Sequence, residues 1–262
     1  MRVKLLLLGA SLGHSRSPRI HRAALDACGL SGEYLAREVD AAGFSAACAE
    51  ITAGTVDGAN VTMPYKRAAH LACDRLDDDA ARAGAVNTLA RRHGGLAGWN
   101  TDVAALRSAL GALPGGAVVV LGSGGAAAAA LVAASGRSIV VAARRLAAAR
   151  DLAGRIDPGC GTVPWGTAVP GAVVVNATPL GMRHEPLPAG VVEVAAGLID
   201  LAYGDAETPA VAAARSRGIP AIDGVSFLIG QAAASFEIWT GLVAPLQAME
   251  AAARRPETLK AP

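Results

Sequence analysis

The chain has 262 residues and a formal net charge of +2; 52% of its residues are apolar and only 3% are aromatic. That length suits one or two domains with a full core. A charge this close to neutral gives bulk electrostatics no hold on nucleic acid or on an anionic membrane surface.

The first residues imitate a secretory signal, but the apolar run behind Met1-Arg-Val-Lys is only about six residues, shorter than a signal core. It runs into the polar Gly13-His-Ser-Arg-Ser-Pro18, so residues 5–8 read as a buried strand. Residues 9–18 follow as a loop, and Pro18 opens a helix that Gly29 stops. A strand over 34–39, a helix over 41–53 ended by Gly54, and a strand over 58–63 closed by Pro64 come next. Helices are expected over 66–73 and 77–83. Residues 85–90 and 96–99 read as strands joined at His93-Gly94-Gly95, and 103–110 as a helix.

Residues 111–116, rich in Gly and holding Pro114, form the clearest break in composition. Strands at 118–121, 138–142, 173–176, 198–200 and 221–223 then alternate with helices at 126–135, 146–156 and 209–217. That alternation predicts a parallel, doubly wound sheet. Residues 226–253 read as helix in two pieces, interrupted by Gly241 and Pro245. Residues 108–136 carry no charge, yet Pro114 and the change of character at Gly122 make them strand, loop and helix rather than a membrane span. The expected class is therefore α/β: an α/β domain followed by a Rossmann domain. Cys28, Cys48, Cys73 and Cys160 lack metal-ligand spacing and read as reduced thiols of a cytoplasmic protein.

The sharpest local signal is Val118-Val-Val-Leu-Gly-Ser-Gly-Gly-Ala-Ala127, a β-branched run that breaks into glycines and then into an alanine-rich helix. Gly122 allows the tight turn, Gly124 lets backbone approach a pyrophosphate, and Ala127 allows close helix–sheet packing. Ser123, Gly125 and Ala126 complete the turn and offer N–H groups at the helix start. After the next strand come Arg144 and Arg145, with no carboxylate before Asp151. A guanidinium fork suits a 2′-phosphate, which points to NADP over NAD; the competing reading is a solvated helix start. Asn176-Ala-Thr-Pro-Leu-Gly-Met182 follows another buried strand and is either a ligand-side turn or an ordinary one.

In the first half, small polar groups gather at expected strand ends: Ser15 and Ser17; Asn60, Thr62 and Lys66; Asn87 and Thr88; Asn100, Thr101 and Asp102. In a parallel sheet several of these ends converge on one edge and suit a small polyhydroxylated anion. Lys66 and Asp102 are the charged pair among them, an acid/base device for the proton that accompanies hydride transfer at a carbinol. Residue by residue the alternative is capping: Ser17 for the helix at Pro18, Asp102 for the helix at Val103.

In order along the chain, Gly13-His-Ser-Arg-Ser-Pro18 with His21, Asn60-Val-Thr-Met-Pro-Tyr-Lys66, Gly84-Ala-Val-Asn-Thr88, Asn100-Thr-Asp102, Leu121-Gly-Ser-Gly-Gly-Ala126, Asn176-Ala-Thr-Pro-Leu-Gly-Met182 and the run from Gln231 to Gly241 resemble the shikimate dehydrogenases. The resemblance implies NADP-dependent interconversion of 3-dehydroshikimate and shikimate, in the route to aromatic amino acids. It implies a substrate-binding domain over 1–101 completed by 238–262, a Rossmann domain over 102–237 and a cleft between them. Ser15 and Ser17 would hold the substrate carboxylate. Thr62, Asn87 and Asp102 would hold ring hydroxyls, with Lys66 as acid/base and Tyr203 and Gln231 closing the pocket. The residues 122–126, Arg144, Arg145, Thr178, Leu201 and Gly224 would meet the cofactor. No metal, nucleic acid or membrane partner is implied, and the chain would be a monomer or homodimer.

Several positions depart from the family pattern. Val103 follows Asp102 where Gly is usual, and Ala143-Arg144-Arg145 stands for Asn-Arg-Thr. Tyr203-Gly204-Asp205 stands for Tyr-Asn-Pro, a change expected to loosen its loop. Phe227 stands for Met in Gly224-Val-Ser-Phe-Leu228. The departures leave open a quinate/shikimate dehydrogenase, a paralogue acting on a related ring acid, and a non-catalytic NADP-binding regulator. Intact Lys66 and Asp102 speak against the regulator.

Overall fold

A computed structural model describes residues 2–255. The elements in chain order are β1 (Val3–Gly9), α1 (Ser17–Ala27), β2 (Gly32–Glu38), α2 (Ala41–Ala53), β3 (Gly58–Val61), α3 (Lys66–Ala72), β4 (Arg75–Leu76), α4 (Asp78–Ala83), β5 (Thr88–Arg92), β6 (Gly95–Trp99) and α5 (Thr101–Gly111). They continue with β7 (Val118–Leu121), α6 (Gly125–Ala133), β8 (Ile139–Ala143), α7 (Leu146–Ile156), β9 (Gly161–Pro164), β10 (Val173–Asn176), β11 (Gly197–Asp200), α8 (Pro209–Ser216), β12 (Ala221–Ile222), α9 (Gly224–Thr240) and α10 (Leu246–Arg254). Two compact units result: Met1–Ala105 with Ile229–Ala253, and Leu106–Leu228 with the residues from Arg254. The units change inside α5 and α9, whereas the sequence reading set the changes at 101/102 and 237/238. Of the stretch 238–262, residues 256–262 lie outside the described residues.

The first unit's sheet has the order β2-β1-β3-β5-β6-β4. β1 pairs in parallel with β2 and β3 and is covered on both faces. Leu6 and Leu8 pack with Phe44 and Ile51, while Leu5 and Leu7 pack with Leu12 and Tyr34. Burial on both faces explains an unbroken run of four leucines, where a half-exposed strand would alternate.

The expectation of a parallel sheet here is corrected at β5, which runs antiparallel to both β3 and β6. The carboxyl ends of β3 and β6 therefore meet the start of β5. Asn60 stands opposite Thr88, and Thr88 opposite Trp99. The polar groups converge after all, because the strand between them is reversed.

The second unit's sheet, β12-β11-β10-β7-β8-β9, is parallel throughout. Its central strands are buried valines, and α6 is apolar all round, with Ala127 through Val132 buried. β7 and β10 are paired neighbours at the point where the chain reverses its winding, and the carboxyl ends of such strands are the usual place for a ligand in open α/β sheets. Among the described residues no helix is long and apolar enough to cross a membrane.

Two capping expectations fail. Arg16, not Ser17, occupies the N-cap of α1, and Ser17 is its buried first residue. α5 begins at Thr101, so Asp102 lies within its first turn rather than ahead of it.

In the first unit His21 is fully buried, stacked on Tyr34 at 4.3 Å and tilted against Trp239 at 5.3 Å. Neither ring nitrogen has a partner in hydrogen-bond geometry. Burial, only partly opposed by Asn60, pushes the imidazole's pKa down to about 3. An unfolded histidine titrates near 6.5, so the unfolded chain gains a proton first as pH falls. Stability contributed by the neutral ring is complete above about pH 6.5 and is lost progressively towards pH 3. Urea unfolding should show a loss of about 2 kcal/mol from this group between pH 8 and pH 5. Subtracting the same series for His21→Phe isolates it; equal pH slopes in the two proteins would refute the assignment.

Candidate active site

The site in the first unit is built at the edge where β3, β5 and β6 meet. Asn60 is buried at the end of β3; its Oδ1 accepts from the Tyr34 hydroxyl at 2.8 Å. Its Nδ2 faces the Asn87 carbonyl oxygen at 3.1 Å, Thr88 Oγ1 at 3.1 Å and Ser235 Oγ at 3.0 Å. Asn87, just ahead of β5, is pinned by the start of α5. Its Oδ1 accepts from the Thr101 backbone N–H at 2.8 Å, and its Nδ2 donates to Asp102 Oδ1 at 2.8 Å.

Lys66 opens α3, and its Nζ pairs with Asp102 Oδ2. The side chains are 18% and 6% exposed respectively. An ion buried to this degree costs several kcal/mol unless it is paired and hydrogen-bonded. Both carboxylate oxygens are engaged, one by the ammonium and one by Asn87. A carboxylate in the first turn of α5 also sits at the favourable end of the helix dipole. The arrangement holds one partly accessible ammonium in a fixed place beside an anion, which is what a proton-transfer group requires.

The remaining first-unit candidates stand around this edge. Thr62 is half-buried; its N–H bonds the Leu8 carbonyl at 2.9 Å, so it lies where β1 ends and the loop carrying Ser15 and Ser17 begins. Ser15 Oγ accepts from the Ser17 N–H at 3.3 Å. Gln231 is buried on α9, and its carbonyl accepts from Ser235 one turn later at 3.0 Å. Val103, the residue that replaces glycine, is fully buried.

The second unit gathers its own set. Gly122 has φ +119°, and a Cβ there would lie 3.0 Å from the Ala177 carbonyl and 3.3 Å from Thr178 Cγ2. The glycine turn and the 176–182 turn are thus in contact. Gly124, the N-cap of α6, would meet nothing within 4 Å if it carried a Cβ, and no side chain caps this helix. The result is an open cradle facing N–H groups at a helix start, the arrangement that takes phosphate. Arg144 and Arg145 are exposed directly beyond β8, beside the turn, where Gly122 N–H bonds the Ala142 carbonyl at 2.8 Å. These residues fit a dinucleotide that carries an extra phosphate.

Leu201 and Gly224 are also adjacent: a Cβ on Gly224 would lie 2.3 Å from the Ala202 carbonyl and 3.1 Å from the Leu201 carbonyl carbon. Tyr203 is half-buried in the loop after β11. The expectation that Gly204 loosens this loop is corrected. A Cβ there would stand 2.9 Å from the Met182 carbonyl, so the glycine permits a close backbone approach.

The family model described as the shikimate dehydrogenase substrate binding domain matches residues 7–89, and that of the shikimate 5'-dehydrogenase C-terminal domain matches residues 224–254. A shikimate dehydrogenase (NADP(+)) of Acidiphilium cryptum is 40% identical over 253 residues, 90% of either chain. The chain belongs to the shikimate dehydrogenase family. Another member, from an Anaeromyxobacter species, is 40% identical over 267 residues and covers 95% of each chain. The crystal structure of the shikimate 5-dehydrogenase of Thermus thermophilus, in complex with NADP(H) and shikimate, matches with a TM-score of 0.87 at 34% identity, over 97% of this chain and 99% of that one.

This shikimate dehydrogenase family member also holds polar residues that sequence reasoning did not assign to the site. Tyr34 and Ser235 join the Asn60–Asn87 network, yet Tyr34 reads as a strand residue and Ser235 as one polar residue in an Ala-rich helix. The only sequence signal for Ser235 is its four-residue spacing from Gln231. In the second unit Asp200 is such a residue. It is fully buried and accepts from Asn176 Nδ2 at 2.7 Å, the Ala202 N–H at 3.1 Å and Thr208 Oγ1 at 2.5 Å. Burial raises its pKa, against the pull of these donors. It ties the 176–182 turn to the loop after β11. Asp200→Ala strands three buried donors and should cost about 3 kcal/mol in urea unfolding, against about 1 kcal/mol for Asp200→Asn. Equal losses would show that hydrogen bonding is not its role.

Proposed function

We propose that this chain is an NADP-dependent shikimate dehydrogenase that interconverts 3-dehydroshikimate and shikimate, with Lys66 as acid/base. The observation that carries the reading is the buried Lys66–Asp102 pair, fixed by Asn87 and flanked by hydroxyls at one sheet edge. A nucleotide-binding regulator would need the glycine cradle but not this pair. The first unit serves as substrate domain and the second as dinucleotide domain.

Ser15 and Ser17 take the substrate carboxylate in the loop after β1. Thr62, Asn87 and Asp102 take ring hydroxyls, and Gln231 lines the pocket on the same unit. In the reduction direction the Lys66 ammonium donates a proton to the carbonyl oxygen as that carbon becomes a carbinol, and in oxidation the neutral amine takes the proton of the reacting hydroxyl back; Asp102 holds the group in place and balances the charge of its ammonium form. NADP+, when bound, supplies the hydride acceptor. The N–H groups over residues 122–126 hold its pyrophosphate and Arg144, with Arg145, its 2′-phosphate. Thr178, Leu201 and Gly224 flank it. The substrate is a small molecule, and the protein acts in the cytoplasm as a monomer or homodimer.

A steady-state assay of the purified protein with shikimate and quinate, each against NADP+ and NAD+, tests the reading. Shikimate with NADP+ should be the preferred pair, and no oxidation of either acid would overturn it. Lys66→Ala should retain NADP+ affinity while turnover falls about a hundredfold or more; unchanged turnover would sink the mechanism. Arg144→Ala should raise the KM for NADP+ about tenfold and leave that for NAD+ nearly unchanged, as loss of a charged phosphate contact predicts. Equal losses with the two cofactors would refute its phosphate role.

A further inference from the structure

The two asparagines of the buried network cannot be turned around, and that gives the network a direction. Asn87 meets one group that only donates, the Thr101 backbone N–H, and one that only accepts, the Asp102 carboxylate. Its Oδ1 must face the first and its Nδ2 the second. Asn60 faces the Asn87 backbone carbonyl, which only accepts, so its Nδ2 must point there and its Oδ1 towards Tyr34. Hydroxyls then follow. The Tyr34 hydroxyl donates to Asn60 Oδ1 at 2.8 Å, and Asn60 Nδ2 donates to Thr88 Oγ1 at 3.1 Å. The Thr88 hydroxyl donates to Asn87 Oδ1 at 3.0 Å, and Asn87 Nδ2 donates to Asp102. With the Thr88 proton on Asn87, the 2.9 Å contact between Thr88 and Ser235 takes its proton from Ser235, which also has the Gln231 carbonyl within reach at 3.0 Å, and Ser235 Oγ lies 3.1 Å from Thr101 Oγ1.

From this we infer that Tyr34, Asn60 and Thr88 form a one-way hydrogen-bond chain that positions Asn87, and through it Asp102, with Thr88 as its middle link. Bonds running head to tail polarise one another where the surroundings exclude water, and Tyr34, Asn60, Thr88 and Asn87 are all buried. Tyr34, Asn60 and Thr88 are positioning residues; none need touch the substrate. Thr88 is the decisive member because it is the one hydroxyl that takes from Asn60 and gives to Asn87. Without it, Asn87 Oδ1 keeps its Thr101 partners but loses the donor on the β5 side. The inference rests on the shikimate dehydrogenase reading for its kinetic consequence, but not for its structural one.

The test compares Thr88→Val, which keeps the shape and removes the hydroxyl, with Thr88→Ser, which restores it. The first readout is hydrogen exchange of the Asn87 side-chain amide by NMR, which needs no substrate. Protection should fall about tenfold or more in Thr88→Val and return in Thr88→Ser. The second is the kcat for shikimate oxidation, which should drop about tenfold in Thr88→Val with the KM for NADP+ unchanged, and recover in Thr88→Ser. Wild-type exchange and kcat in Thr88→Val would overturn the inference, because the hydroxyl would then position nothing, and so would equal losses in the Val and Ser variants, because a packing defect alone gives that result. If Thr88→Val does not fold, Tyr34→Phe takes its place: lowered amide protection supports the chain and wild-type protection overturns it. If the wild-type protein oxidises no shikimate, the dehydrogenase reading falls, and amide exchange still decides whether the chain exists.

Discussion

Strand β5 runs against both neighbours, and the polar edge of the first unit depends on that reversal. A strand laid the other way would carry Asn87 and Thr88 to the far side of the sheet. With β5 reversed, Asn60, Thr88 and Trp99 fall in one row. Two backbone bonds fix the next residue: Val61 N–H to the Asn87 carbonyl at 2.8 Å and Asn87 N–H to the Trp99 carbonyl at 3.0 Å. The ladder itself therefore aims the Asn87 side chain at the start of α5. Asp102 needs no loop to bring it in, because α5 begins directly beyond β6.

The charged pair survives burial through this frame. A carboxylate withdrawn from water is tolerable only when both oxygens are satisfied, and here one is held by Lys66 and the other by an amide that cannot rotate. The second unit solves the opposite problem. Its glycine turn leaves space and N–H groups open, and its firm parts lie behind the turn, where Asp200 gathers three donors. One site is rigid by saturation of its hydrogen bonds; the other is receptive because its bonds are left for a ligand.

Much of this was legible in the residues. The four leucines of β1, the Gly54 stop of α2, the glycine turn and the Gly241 and Pro245 interruption all announce themselves through periodicity and backbone chemistry. Strand direction is legible only in part: the short turn at His93-Gly94-Gly95 makes β5 and β6 antiparallel, but alternation is the same read either way, and nothing in the residues marks β5 as antiparallel to β3. β4 spans two residues and β9 is a partly exposed strand ending at Pro164, so neither has a pattern long enough to read. Lys66 and Asp102 could be singled out because they are charged among small polar groups. Tyr34 and Ser235 could not, because a hydroxyl on an otherwise apolar element looks the same whether it meets a network or merely fills space.

Gly204 has a consequence for how this sequence can change. The glycine lets the loop after β11 press against the Met182 carbonyl, while Gly122 lets the glycine turn press against Ala177 at the other end of the same short segment. Residues 177–182 are thus flanked by bare backbone at two points contributed by distant parts of the chain. Restoring the family's asparagine at 204 alone would collide with Met182 unless the segment shifted, and a shift there would be felt at Gly122. The departure at 204 is therefore entrenched: its fate is bound to its neighbours, and a family consensus read one position at a time is the wrong guide to it.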